Sequence, residues 1–395
     1  MTEVPISACP EWLQALDPKF DTLSFHLQHP EISPDEYIRS QHIALGGQVL
    51  AKRRIYLDQK YWIYCRDVVR GRPRNPLHTE IYEVLRHAVK SGRALCPASH
   101  LILEETLKQE DPESRHLTAT IVQELSAGVA LQPFPVLFQA EILHFLTTTR
   151  PWPVDVYPCE QMAWTYIGNV FGHMSPVSTA FDADTEKAIQ KAWFDLMTAM
   201  QFPLLAKSMF PPPSDILRTP LEFYDKQNEQ CRMHENDFSS FPEVFLIELA
   251  GGLDVHKNEL GAVQLYLDQK HVGQDGVVVP TDNIAEGTRM LSNLIYHAFR
   301  LGKIERQLPG LRIIAGIHAA MRYKRQKHRR GDRHDHLHAR VALPYCDLFL
   351  TEKSLGHLLC DKPLEYDRLY GCRVAWGPED ALHAIDALLN QTTAC

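Results

Sequence analysis

Residues 54–62 read Arg54-Ile55-Tyr56-Leu57-Asp58-Gln59-Lys60-Tyr61-Trp62. The first four of them predict a buried strand, because β-branched and aromatic side chains fit the pleated surface of a sheet. The strand ends directly in Asp58, and a carboxylate in that position is a poor core residue. Two interpretations remain open for Asp58: it caps the helix that begins at Gln59, or it belongs to a functional pocket at the end of the strand.

Strands and helices alternate on both sides of this stretch. Residues His78–Lys90 carry apolar side chains at the spacing of an amphipathic helix, Ala94–Cys96 predicts a short strand, and Ser99 is a suitable N-cap for the next helix. The alternation returns near the end of the chain, where Asp347–Leu350 and Cys372–Trp376 predict strands. This order predicts an α/β fold with a central parallel sheet covered by helices on both faces.

The middle of the chain has a different character. Prolines cluster there, as in Pro211-Pro212-Pro213, and helical stretches such as Thr185–Met200 dominate. We therefore expect a mainly helical insertion or cap that splits the α/β domain in two. The predicted units are an N-terminal arm, the first half of the α/β domain, the insertion and the second half, at residues 1–50, 51–133, 134–305 and 306–395.

Composition limits the classes of function. The 395 residues include 45% hydrophobic and 23% charged residues and carry a formal net charge of −8, which is ordinary for a soluble globular protein. The nine cysteines include no CxxC pair, so a zinc ribbon or disulfide framework is not expected. The chain shows neither a signal peptide at its start nor an apolar run of about 20 residues. We expect a cytoplasmic protein without a membrane partner.

Further acidic residues recur at strand ends and helix starts, far apart in the sequence. Parallel strands bring their carboxyl ends to one edge of a sheet, and oxygen ligands suit the hard cations Mg²⁺ and Mn²⁺. With Asp58, these acids predict a divalent-metal site. Each has a simpler alternative, such as a solvated helix face or a favourable position at a helix N-terminus. The additional candidates are Glu104, Glu105, Asp335, Asp347 and Glu352.

A basic stretch lies just before Asp335. In a chain of net charge −8, a local run of seven cations predicts contact with a phosphate backbone. The alternative is a solvated helix face or loop. Tyr323 would stack on a base if the nucleic acid were single-stranded. The seven cations are Arg322, Lys324, Arg325, Lys327, Arg329, Arg330 and Arg333.

These motifs together resemble the PIN-like nucleases over roughly residues 50–130 and 310–395. The matching segments are residues 55–62, residues 97–106 and the stretch Asp332 to Glu352. The resemblance implies a three-layer α/β domain with a central parallel sheet. It also implies a set of acidic metal ligands, with Glu105 preferred over its neighbour Glu104. The family usually has an aspartate where this chain has Glu352, so either Asp347 or Glu352 could be the fourth ligand. The implied catalytic residues are Asp58, Glu105, Asp335 and Asp347, with Glu352 as a supporting ligand.

The expected function is therefore hydrolysis of phosphodiester bonds by a Mg²⁺- or Mn²⁺-dependent nuclease. RNA is favoured over DNA by the family's tendency, and a regulated toxin or defence effector fits the need to restrain such an enzyme. The insertion would cover the site, select the substrate or bind a regulatory partner protein. Two alternatives stay open: a catalytically silent PIN-like scaffold that binds nucleic acid or protein, and a zinc hydrolase built on His334 and His338, which lie four residues apart.

Overall fold

The computed structural model describes residues 22–149, 158–177, 180–208, 221–233, 238–272, 281–304, 306–329 and 331–391. Its centre is a four-stranded parallel sheet with the strand order β2-β1-β5-β6. Strands β3 and β4 pair antiparallel in a second, two-stranded sheet, and a parallel bridge between Ala98 and Ala130 links β3 to the segment after β2. The strands are β1 (Arg53–Leu57), β2 (Ala94–Leu95), β3 (Val129–Leu131), β4 (Trp164–Tyr166), β5 (Leu348–Leu350) and β6 (Arg373–Ala375).

Helices make up most of the remaining described chain. The helices before β5 are α1 (Leu23–Leu27), α2 (Pro34–Leu50), α3 (Gln59–Val69), α4 (Pro76–Lys90), α5 (His100–Leu107), α6 (Pro112–Ser126), α7 (Phe134–Thr149), α8 (Cys159–Met162), α9 (Ala183–Thr198), α10 (Phe202–Ser208), α11 (Leu221–Met233), α12 (Phe241–Val255), α13 (Lys257–Val272), α14 (Thr281–Arg300), α15 (Pro309–Tyr323) and α16 (Asp332–Tyr345). Those after β5 are α17 (Lys353–Cys360), α18 (Tyr366–Tyr370) and α19 (Pro378–Asn390). Across the described residues, no helix combines the length and apolar character needed to cross a bilayer.

The pairing of β1 with β5 creates a crevice at one edge of the sheet. Ile55 pairs with Leu348 and Leu57 pairs with Leu350, so the two parallel strands end level with each other. The chain leaves β1 towards β2 on one side and leaves β5 towards β6 on the other. Neighbouring strands whose connections depart in opposite directions leave a crevice beyond their carboxyl ends. Residues that directly follow β1 and β5 therefore lie next to each other at the same edge of the sheet.

Short polar side chains begin several of the helices, as the sequence predicts. Ser99 accepts a hydrogen bond from the backbone N–H of Ile102 at 3.4 Å and caps α5. Asp111 accepts from the N–H groups of Glu113 and Ser114 and caps α6. These contacts satisfy N–H groups that have no partner inside the helix. The predicted helix start at Ser99 is confirmed.

Two hydrophobic cores divide the chain differently from the predicted boundaries. The first surrounds the sheet and includes Ile55, Trp62 and Phe349. The second lies among α7, α12, α13, α14 and α15. Trp164 and Phe202 fall inside the predicted 134–305 insertion but belong to the core around the sheet. From the predicted arm, Leu45 and Val49 of α2 join that core too.

Replacing Phe349 by alanine tests the importance of the central strand. The side chain is fully buried in β5, so Phe349→Ala should lower the free energy of unfolding by about 3–5 kcal/mol through lost burial and a residual cavity. Phe171→Ala is a matched control, because Phe171 is 40% exposed and its loss should change stability by only about 0.5 kcal/mol. Urea unfolding followed by fluorescence measures both. Equal effects of the two substitutions would contradict the assigned core.

Candidate active site

Asp58 lies at the crevice and also begins a helix. One carboxylate oxygen accepts a hydrogen bond from the Thr351 hydroxyl at 3.0 Å, and the other accepts from the backbone N–H of Lys60 at 3.1 Å. Asp58 follows β1 and Thr351 follows β5, so this contact joins the two strand ends. Burial raises the pKa of Asp58. The capping interpretation of Asp58 is therefore confirmed, and its carboxylate lies where β1 and β5 end side by side.

Glu105 of α5 is held by a buried histidine. Its carboxylate lies 3.1 Å from Nε2 of His338, which belongs to α16. The other ring nitrogen of His338 is 2.7 Å from the Tyr56 hydroxyl, and that hydroxyl is also 2.7 Å from Oγ of Ser99. Burial alone would lower the pKa of His338, but the neighbouring Glu105 carboxylate outweighs it and the net shift is upward. The network fixes α5, β1 and α16 relative to one another.

Asp335 occupies the first turn of α16 beside these groups. Its pKa is raised to about 8, first because the side chain is buried and then because Asp58 repels a second negative charge. Glu352 and Glu105 raise it further, whereas His338 opposes the shift. Coulombic interactions weaken with distance, so these effects on its pKa indicate that Asp335 lies near Asp58, Glu352 and Glu105. Glu352 begins α17 and makes no capping hydrogen bond through its side chain. It is exposed at the mouth of the crevice beyond β1 and β5.

Glu104 and His334 form a second pair on the outer side of the same helices. Nε2 of His334 lies 3.9 Å from the Glu104 carboxylate and 2.7 Å from Nζ of Lys108. Burial and the Lys108 charge lower the pKa of His334 to about 4, so the ring is neutral. His334 and His338 thus face different glutamates. Within the ranges that the structure describes, no three His, Cys, Asp or Glu side chains are already arranged to hold a metal ion.

Asp347 requires a correction. It precedes β5, so it lies at the amino-terminal edge of the sheet, opposite to Asp58. Its carboxylate accepts hydrogen bonds from the backbone N–H of Arg54 at 2.7 Å and from Nε of Arg54 at 3.0 Å. The structure does not bring Asp347 to the other acids. Of the two acids that flank β5, only Glu352 lies at the same edge of the sheet as Asp58.

The basic stretch is only partly available to a ligand. Asp335 opens into a cavity of about 630 Å³ that Arg325, Lys327 and Arg329 also line. Arg322, by contrast, is mostly buried and forms an ion pair with Glu248 at 3.0 Å.

The other predicted cations have separate positions. Lys324 is exposed just after α15, and Arg333 lies in the first turn of α16, beside a neighbouring cavity. Arg330 is outside the described residues. Tyr323 is 44% exposed and contacts the edge of the Phe241 ring. Three of the seven predicted cations therefore line the cavity that contains Asp335.

Sequence reasoning did not assign Thr351 or Tyr56 to the site, and it named His338 as a candidate zinc ligand. Thr351 orients Asp58, His338 holds Glu105, and Tyr56 connects His338 to Ser99. One signal was available: a tyrosine in a buried strand needs a partner for its hydroxyl. The identity of that partner could not be predicted from the sequence, because His338 lies 282 positions away.

Asp347→Asn should reduce stability without affecting metal binding. The substitution leaves the Arg54 guanidinium without its charged partner at a mostly buried position, which should lower the free energy of unfolding by about 1–3 kcal/mol. Asp361→Asn, at an exposed carboxylate, should change it by about 0.5 kcal/mol at most. Chemical denaturation and a Mn²⁺ titration check both parts. Loss of Mn²⁺ binding in Asp347→Asn would contradict the placement of this residue.

The raised pKa of Asp335 predicts a pH effect on stability. The folded protein keeps a proton on this carboxyl up to a pH of about 8, whereas an unfolded chain releases it near about 4. Folding therefore takes up a proton between these values, and stability falls as pH rises through this window.

The substitution Asp335→Asn should remove the loss of folding stability that deprotonation of Asp335 causes. In EDTA at pH 7.5 the variant should be more stable than the wild type by at least about 1.4 kcal/mol, the equivalent of one pKa unit. At pH 4 the difference should disappear. Glu141 also has a pKa raised to about 8 by burial, but it is present in both proteins, so the difference between them reports Asp335. A pH-independent difference would exclude this explanation.

Comparisons with known proteins find no relative for this chain. No family model matches it, and no curated protein and no solved structure matches it. The geometry of the sheet edge is therefore the basis for the functional interpretation.

Proposed function

We propose that this protein is a Mg²⁺- or Mn²⁺-dependent nuclease with a PIN-like α/β domain. The observation that carries the proposal is the position of Asp58, Glu105 and Asp335 around one crevice at the carboxyl edge of a parallel sheet. Ligand sites of open α/β sheets are found at such crevices. The strand order β2-β1-β5-β6, with β2 at one end and β6 at the other, supports a doubly wound sheet.

The chemistry of the acids fits a hard divalent cation. Asp58 and Asp335 repel each other, and a cation between them would relieve that repulsion. A carboxylate has about four acceptor positions, so Asp58 and Glu105 keep capacity beyond their bonds to Thr351 and His338. Asp58, Glu105 and Asp335 would hold the ion, with Glu352 at the mouth. Because no three of these groups are yet arranged around one point in the described residues, binding requires side-chain rotation.

A bound Mg²⁺ or Mn²⁺ supplies an activated water and neutralises charge on the scissile phosphate. The protein's own residues hold the acids and the substrate. Thr351 keeps Asp58 directed at the crevice, and His338 restrains Glu105 through the hydrogen bond described above. Arg325, Lys327 and Arg329 line the cavity of Asp335, so they are positioned to contact a phosphate backbone. The preference for RNA over DNA follows from the resemblance to the PIN-like family.

A catalytically silent PIN-like scaffold is the second candidate. It is favoured by the contacts that already use the acids, since Asp58 bonds to Thr351 and Glu105 bonds to His338. A scaffold would bind nucleic acid through the basic residues without needing a metal ion. Cleavage and binding assays separate the two candidates.

The test is cleavage of labelled single-stranded RNA and DNA with Mn²⁺, Mg²⁺ or EDTA. Wild-type protein should cleave RNA only with a divalent cation. Asp58→Asn and Glu105→Gln should each reduce the rate by more than about 100-fold, the upper end for residues that merely support a metal ligand. Arg325→Gln should weaken substrate binding and make it less dependent on salt, because one phosphate contact is lost.

Asp347→Asn is the matched control, because it removes a carboxylate from the opposite edge of the sheet. Its cleavage rate should equal that of the wild type. Cleavage that persists in EDTA or in Asp58→Asn would reject the carboxylate site. Binding without cleavage under every metal condition would favour the scaffold.

A further inference from the structure

A second cavity lies next to the candidate active site, between helices α12, α15 and α16. Its volume is about 490 Å³, within the range of pockets that hold small molecules. Its wall includes Arg340, His318, His328 and His336. His328 and His336 also line the cavity of Asp335. The two cavities therefore share a wall.

Arg340 is the unusual group in this wall. Its Nε is buried without a hydrogen-bond partner, and its guanidinium carbon lies 3.6 Å from the centre of the Phe134 ring. Among the described residues, no carboxylate is close enough to form an ion pair with it. Burial lowers its pKa, but the value stays near 9, so the guanidinium remains charged at pH 7. A mostly buried charge without an anionic partner is costly.

Glu141 does not offset the cost of burying the Arg340 charge. It acts on Arg340 electrostatically, but its carboxyl accepts hydrogen bonds from the Tyr345 hydroxyl at 2.8 Å and the backbone N–H of Gly310 at 3.3 Å. Burial raises the pKa of Glu141 to about 8, so it is largely protonated at neutral pH. Glu259 also acts on Arg340 electrostatically, without an ion pair between them. The positive charge on Arg340 is therefore left for a ligand to balance.

Three histidines provide further polar contacts in the same wall. The ring centroids of His318, His328 and His336 lie 5.7, 5.8 and 6.4 Å apart. Within the described residues none of the three rings makes a hydrogen bond, and the shortest charged contact is 4.0 Å, from His318 to Glu248. Burial lowers the pKa of His318 and of His328. A neutral imidazole has one N–H donor, so the cluster offers several donors beside one guanidinium.

We propose that this cavity binds the phosphate group of a small ligand, with Arg340 as its charge partner and the histidine cluster as additional donors. The planar guanidinium donates two parallel hydrogen bonds to phosphate oxygens. The ligand is either a free mononucleotide or one nucleotide of a nucleic-acid strand, since both present the same phosphate chemistry. This binding requires neither a metal ion nor cleavage.

A ligand at this position would act on the candidate active site through helix α16. Arg340 and His336 lie on the same helix as Asp335 and His338. A phosphate held by Arg340 and His336 would favour one position of that helix. We therefore expect the cavity to regulate the site, a consequence that rests on the proposed nuclease function, whereas phosphate binding itself does not.

The experiment is isothermal titration calorimetry in EDTA with AMP, adenosine and a short oligoadenylate. The proteins are the wild type, Arg340→Gln, and Arg300→Gln as a control for removing an exposed arginine at the end of α14. AMP should bind the wild type at least about tenfold more tightly than adenosine, a difference of about 1.4 kcal/mol. Arg340→Gln should lose at least tenfold of the AMP affinity, whereas Arg300→Gln should bind AMP like the wild type.

The outcomes separate the two sources of phosphate. AMP binding that depends on Arg340 identifies a free nucleotide. Oligoadenylate binding that depends on Arg340, without AMP binding, assigns the cavity to a strand. Absence of binding by all phosphate compounds, or equal affinity in the wild type and Arg340→Gln, overturns the proposal.

Two further measurements keep the test decisive. Thermal unfolding should show that ligand-free Arg340→Gln is at least as stable as the wild type, because an unbalanced buried charge has been removed. If that variant fails to fold, His336→Gln replaces it, with the same tenfold loss of AMP affinity expected. AMP binding by a protein that cleaves no RNA would reject the proposed nuclease and retain this site.

Discussion

The crowding of acidic side chains at the paired ends of β1 and β5 is the constraint on which the rest of this structure depends. Asp58, Asp335 and Glu352 each lie at the beginning of a helix, α3, α16 and α17 respectively. Helix N-termini carry partial positive charge and unpaired N–H groups, which favour nearby anions. Thr351 and His338 add hydrogen bonds. Burial and repulsion still raise the pKa of Asp335 to about 8, so the compensation is incomplete.

Much of the sheet and several helix starts could be predicted from the sequence, because both depend on local patterns. The strand around Ile55 and the cap at Ser99 are examples. The edge occupied by each acid was harder to predict. Asp347 and Glu352 flank a three-residue strand, and only the direction of that strand within the sheet places them at opposite edges. The local sequence pattern does not show which edge of the sheet each of the two acids occupies.

Contacts between distant segments explain the remaining differences. The sequence presents Arg322 as one cation in a basic run, but a carboxylate 74 positions earlier pairs with it in the structure. Trp164 lies within the predicted insertion, yet β4 pairs with β3 and carries it into the core around the sheet. Local periodicity contains no information about such partners. The same limit applies to the Tyr56–His338 hydrogen bond that organises the candidate site.

Helix α16 connects the two cores to the candidate site. Near the end of α16, the Tyr345 hydroxyl donates a hydrogen bond to Glu141 of α7. In the middle of α16, the Arg340 guanidinium stacks on the ring of Phe134, which also belongs to α7. Asp335 and His338 face the acids. A change in the helical part of the chain can therefore reach the acids through one rigid element. This connection gives a physical basis for regulation by a ligand or partner of the helical region.

The central claim is that Asp58, Glu105 and Asp335 together hold a divalent cation. The most direct test is a crystal of the protein soaked in Mn²⁺ and measured for anomalous scattering. The account predicts a peak in the crevice, about 2.2 Å from oxygens of Asp58 and Asp335, and its loss in crystals of Asp58→Asn. A well-ordered crevice without a peak, or a peak that survives in Asp58→Asn, would contradict the account.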